Sequence, residues 1–155
     1  MTRRESRELA FILCFERTFS DESVDAIVEA AGEARDIRVS EFALSLAKGV
    51  EQQQAALDQT IAAFSHNWNV NRLSRVALCV LRVALYEMRF VEEIPVSVSI
   101  NEAVELAKTY GGEEDASFVN GVLGGVARSG QETAGGTVPP EPDGETAGPN
   151  QPASV

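Results

Sequence analysis

The stretch from Ile94 to Leu123 reads IPVSVSINEAVELAKTYGGEEDASFVNGVL, and its punctuation decides the fold. Pro95 lacks an amide donor and disfavours helix in the residue before it, so a helix entering this stretch must stop at EEIP. Ser99 and Glu102 stand in capping-box spacing and predict a new helix there. Ala103, Val104, Leu106 and Ala107 follow at helical spacing, and Gly111 and Gly112 supply the C-terminal stop. Glu114 and Asp115 then favour another helix start through its dipole, with Phe118, Val119, Val122 and Leu123 turned inward and an end near Arg128.

Upstream, RLSRVALCVLRVALYEMRF, from Arg72 to Phe90, is apolar on several sides. A helix with that pattern belongs at the centre of a bundle. Phe42, Leu46, Val50, Leu57, Ile61 and Phe64 predict a long helix over about 40–64, with Gly49 as a place where it can bend. The polar segment SHNWNVN separates the two. A shorter helix over about 22–34 carries Val24, Ile27 and Val28 and ends in the loop EARDIR. The first helix opens with Thr2 and Glu5 in capping-box spacing and runs to about Thr18. At about 100° per residue, Leu9, Ile12 and Leu13 share one face, and Arg3, Arg4, Arg7, Phe11 and Phe15 lie near the opposite one. No stretch alternates like a strand, so the fold class is all-α.

A chain of 155 residues with 44% apolar content fits one domain with one core. Five of the six prolines fall after Ser129 in SGQETAGGTVPPEPDGETAGPNQPASV, where no apolar period appears. The expected division is a helical domain over 1–128 and a disordered acidic tail over 129–155. The net charge is −11, and the four carboxylates of the tail leave −7 on the rest. Such a body repels phosphate, so any RNA site must be local, and a basic protein is the more natural partner for the remaining surface. MTRRESRE has no signal-peptide core and no apolar run is long enough to span a bilayer, which predicts a cytoplasmic protein that makes no use of a membrane. Cys14 and Cys79 sit in apolar helical patterns and read as small buried hydrophobes.

Arginines beside aromatic rings can hold phosphates while bases stack, and Arg3, Arg4 and Arg7 with Phe15 offer that chemistry on the first helix. The bland alternative is a solvated terminus paired with Glu5 and Glu8. Asn120 is a poor helix former in mid-helix, so a hydrogen bond or a ligand must compensate. Asn101 and Glu102 read first as helix-start residues. The sole histidine, His66, has no nucleophile or metal-ligand cluster near it in sequence, and no phosphate loop occurs. No catalytic residue, metal or cofactor is expected.

Three segments carry a resemblance to the NusB transcription antitermination family: the Ile94–Leu123 stretch, RLSRVALCVLRVALYEM at Arg72–Met88 and RRESRE at Arg3–Glu8, in the family's order and covering about the first 128 residues. The resemblance implies a bundle of about six to seven helices in two subbundles. It implies binding to boxA RNA of ribosomal RNA operon leaders together with NusE, a small-subunit ribosomal protein, within the RNA polymerase antitermination complex. By the same resemblance Arg3, Arg4 and Arg7 would contact phosphates, and Phe15, Phe118 and Asn120 would shape the base contacts. Phe15 stands where members commonly have Tyr, and Ala77 and Leu78 replace a polar pair that members carry near their RNA and NusE surface. A protein-only homodimer or scaffold with weakened RNA binding is therefore the rival expectation.

Overall fold

The computed structural model describes residues 1–35, 40–65 and 73–136. They form six helices: α1 (Arg3–Arg17), α2 (Val24–Arg35), α3 (Glu41–Phe64), α4 (Arg75–Phe90), α5 (Val96–Tyr110) and α6 (Glu113–Gly136). No strand occurs among the described residues, and the fold is all-α. Met1–Leu123 is one compact unit and Gly124–Val155 a second; every residue expected at a functional site lies in the first. His66, Trp68 and most of SHNWNVN, the end of EARDIR, and residues 137–155 lie outside the described residues.

Local chemistry sets most boundaries. Thr2 caps α1 in a reciprocal capping box with Glu5, and Ser40 and Ser74 cap α3 and α4 by accepting from the Ala43 and Ala77 amides. At the end of α5 the amides of Gly111 and Gly112 both donate to the Ala107 carbonyl, at 2.7 and 2.9 Å. Gly112 takes a φ of +109°, which a side chain would resist.

Two boundaries differ from the sequence reading. α5 starts at Val96, a turn before the expected capping box, because Pro95 itself is the N-cap and its carbonyl accepts from Val98 and Ser99. Ser99 and Glu102 are therefore interior helix residues. The β-branched VSV run hides this start, since valine is a weaker helix former than the residues that follow. α6 continues past Arg128 to Gly136; no proline comes before Pro139, and Gln131, Glu132 and Ala134 can carry a helix.

α1, α2 and α3 pack on one another, and α4 packs against α1, α3 and α5. α4 thus joins the first three helices to the second half of the bundle, with Cys79, Val80, Leu81, Val83, Ala84 and Leu85 all buried. The α1 faces are redistributed relative to the sequence reading. Ala10, Phe11, Leu13 and Cys14 form its buried stripe, Arg7 lies inside with them, and Ile12 is partly exposed. Arg7 is drawn inward because a carboxylate waits there.

Candidate nucleic-acid interface

The first turns of α1 bring three arginines against α3, α4 and α5, and each meets a different environment. Arg7 is buried. Its Nε donates to both carboxylate oxygens of Glu87 at 2.9 Å and its Nη2 to Oε2 at 2.6 Å, with side-chain exposures of only 8% and 1%. A guanidinium held this way cannot also face a phosphate, so Arg7 positions α1 rather than presenting charge. Arg4 is 72% exposed and grips Glu102 of α5 through Nε and Nη2, at 3.0 and 2.8 Å. That hydrogen bond, with the charge of Arg4 behind it, lowers the Glu102 carboxyl below its usual range. Arg3 lies over the Phe42 ring at 3.8 Å and only 3.9 Å from Glu93, in a half-exposed position.

The three arginines expected to share one open basic face are thus one buried tie, one exposed cation held by a carboxylate, and one cation stacked on a ring. Sequence spacing showed the arginines but not their carboxylates, because Glu87 lies 80 residues and Glu102 lies 98 residues away in the chain. Ser99, buried on α5, lines a cavity of about 10 Å³ with Arg7, Glu87 and Ala103.

Aromatic rings continue the surface along α1. Phe11 lies 4.9 Å from Tyr110 and 5.9 Å from Phe15, and Phe15 lies 5.2 Å from Phe19 in an edge-on contact. Phe11 is buried and Phe15 half-buried, whereas Phe19 is 64% exposed. Tyr110 donates its hydroxyl to Glu8, and this bond pushes the phenol up to about 12. The guanidinium of Arg75, first residue of α4, sits 4.4 Å from the Phe19 ring centre. Neither Phe19, Arg75 nor Tyr110 drew attention in the sequence. The signal was available in part, since Phe11, Phe15 and Phe19 recur at i, i+4, i+8, the spacing of one helix face, although Phe19 falls just past the end of α1.

On α6, Phe118 is half-buried and Asn120 exposed. Asn120 therefore faces solvent instead of compensating its poor helix propensity in the core. Asp115 on the same helix accepts from the Ser74 hydroxyl at 2.9 Å. Ala77 is buried and Leu78 half-buried, so the changed pair on α4 adds packing and no exposed charge.

Among the described residues no group of three or more His, Cys, Asp or Glu side chains converges as a metal would require. None of their helices is long and apolar enough to cross a membrane. The class that the fold and this surface define is a small all-helical bundle whose first helix carries arginines and aromatic rings.

The chain belongs to the NusB family, whose model matches residues 4–128. It is 43% identical over 136 residues to the transcription antitermination protein NusB of Pelotomaculum thermopropionicum, covering 85% of this chain and 93% of that one. It is also 43% identical over 130 residues to the same protein of Acetivibrio thermocellus, covering 83% and 90%. Among solved structures, NusB of T. maritima superposes with a TM-score of 0.72 at 34% identity, over 83% of this chain and 92% of that one. The antitermination factor NusB solved with NusE and dsRNA shares the fold, with a TM-score of 0.72 at 23% identity over 81% of this chain and 96% of that one. The family is one of transcription antitermination factors and is not known as an enzyme family.

Proposed function

We propose that this protein binds boxA RNA of ribosomal RNA operon leaders as a heterodimer with NusE, and that the pair helps RNA polymerase read through terminators. The observation that carries this reading is the α1 surface, where exposed Arg4 and half-exposed Arg3 lie on the same helix as half-buried Phe15, with exposed Phe19 just past its end. On a chain of net charge −11, such a local surface is what single-stranded RNA recognition requires. Arg3 and Arg4 contact phosphates, and Phe15, Phe118 and Asn120 contact bases. Arg7 serves the site from inside by fixing α1 against α4. A role in transcription places the protein in the cytoplasm.

A second surface suits the protein partner. Phe90 is 50% exposed and stacks on Tyr86 at 4.7 Å, while Val96 and Val98 lie partly exposed at the start of α5. Exposed Glu92 and Glu93 stand between them in the chain. An apolar patch with an acidic rim attracts and buries against a basic ribosomal protein.

Fluorescence anisotropy of a boxA RNA, with and without NusE and against a scrambled RNA at two salt concentrations, tests the reading. Sequence-dependent binding that NusE strengthens supports it. Equal binding of both RNAs with NusE present overturns it in favour of a protein-only homodimer or scaffold.

A further inference from the structure

We propose that Phe19 and Arg75 form an additional base-stacking subsite, which extends the RNA surface past Phe15 and takes one unpaired base of a single-stranded RNA with its flanking phosphate. The inference rests on the RNA reading above and adds to it two residues from separate helices.

Phe19 follows the end of α1, where this phenylalanine keeps 64% of its surface in water despite its contact with Phe15. Its ring continues the row formed by Phe11 and Phe15, each step close to 5 or 6 Å. Burial falls along that row, from a core ring at Phe11 to a half-buried one at Phe15 to an open one at Phe19. A stacked base needs such an open face, and every base has a π-surface to offer it.

Arg75 supplies the charge. Its guanidinium lies over the same ring, 4.4 Å from the centre, and its residue is exposed. Elsewhere in the bundle the guanidinium groups of Arg4, Arg7 and Arg82 are each held by a carboxylate, Glu102, Glu87 and Asp58 respectively. Among the described residues, Arg75 instead rests on an aromatic face, an attraction of modest strength at exposed sites. It can therefore turn to a phosphate without breaking a bidentate ion pair. The nearby Asp115 carboxylate accepts from Ser74, which limits how strongly this point attracts phosphate and favours a subsite that adds to binding over one that initiates it. A cation at this rim also disfavours a basic protein, so the patch suits RNA better than NusE.

The experiment uses the full chain with NusE and a series of boxA RNAs extended by one to six nucleotides on either side. Loss of one base–aromatic stack corresponds to roughly a fivefold or greater loss of affinity. Phe19→Ala should show that loss only with RNAs long enough to reach the subsite, and an abasic nucleotide at the reaching position should abolish the difference from the parent. Arg75→Gln should lower the salt slope by about 0.7 for the same RNAs. Phe19→Trp gives a direct readout, since stacking should quench its emission beyond any change that the parent's Trp68 shows. If the parent binds boxA but all three variants behave like it with every RNA, the subsite is overturned and the RNA reading stands. If the parent binds no RNA, both fall together. If Phe19→Ala weakens capture of NusE and leaves RNA affinity unchanged, the patch is a protein contact and the subsite is overturned.

Discussion

Arg7 of α1 and Glu87 of α4 are tied by three hydrogen bonds in an almost dry setting, although 80 residues separate them in the chain. The pair fixes where the N-terminal arginine turn lies on the bundle. Ser6 supports the same docking by sharing a 2.7 Å hydrogen bond with Ser40 at the start of α3. The arginine surface is thus held from beneath by polar contacts that contribute no charge to it.

Removing one member of this pair should destabilise the protein more than removing both. Arg7→Ala leaves Glu87 buried without a partner, at a cost of about 3–5 kcal/mol. The double variant Arg7→Met with Glu87→Leu should recover most of that loss, because it buries no charge. Urea unfolding of parent, single and double variants checks this. A double variant as unstable as the sum of its singles would show that packing, not charge, dominates the site.

Glu102 should act as a brake on Arg4. Its carboxylate occupies the guanidinium fork that an RNA phosphate would otherwise take. Glu102→Gln should therefore raise RNA affinity several-fold at low salt and steepen the salt slope by up to about 0.7. Arg4→Ala should weaken binding. Because the Arg4 bond depresses the Glu102 carboxyl, the pair's contribution to folding is complete above the ordinary value of 4.5 and is lost as pH falls through the depressed folded value. An NMR titration of the Glu102 carboxyl carbon should find a midpoint below 4.5 that moves up in Arg4→Ala. An unmoved midpoint would mean that the pair does not form in solution.

Helices were legible in the sequence wherever a cap or a period announced them. Thr2, Ser40 and the Gly111–Gly112 stop gave the ends of α1, α3 and α5 within a residue or two, and the broad apolar surface of α4 gave its central place. The start of α5 was not legible, because Pro95 and a β-branched run read as extended chain, whereas Pro95 is the N-cap whose carbonyl takes the first helical amides. The candidate site was legible only as residue types. Arg3, Arg4 and Arg7 look alike in a heptad-length window, and only Phe42, Glu102 and Glu87, brought in from three other helices, make them different. Phe19 and Arg75 could not be paired from sequence for the same reason.

Cys14 and Cys79 should be chemically silent in the folded protein. Burial pushes their thiols up to about 12 and about 11, so almost no thiolate exists at pH 8, where a free cysteine is substantially ionised. A disulfide-exchange reagent such as Ellman's reagent should release little colour from the native protein over an hour and two equivalents at once in denaturant. Rapid native reaction of either thiol would show that the core opens far more readily than its packing implies.

Gly49 marks a close approach more than a bend. α3 runs unbroken from Glu41 to Phe64, and a methyl group built on Gly49 would overlap the ring and hydroxyl of Tyr86. That ring cannot yield freely, since Phe90 stacks on it at 4.7 Å. Two effects of Gly49→Ala oppose each other: alanine gains roughly 1 kcal/mol of helix propensity over glycine, and overpacking costs about 1–3 kcal/mol. With Tyr86 in place the clash should win and the variant should unfold at lower urea. In a Tyr86→Leu background the clash disappears and the propensity gain remains, so the same change should become neutral or stabilising. A reversal of sign between the two backgrounds is the expected result of the four-protein cycle. Equal effects in both would mean that the ring moves aside at no cost, and that glycine is required at this position for some other reason.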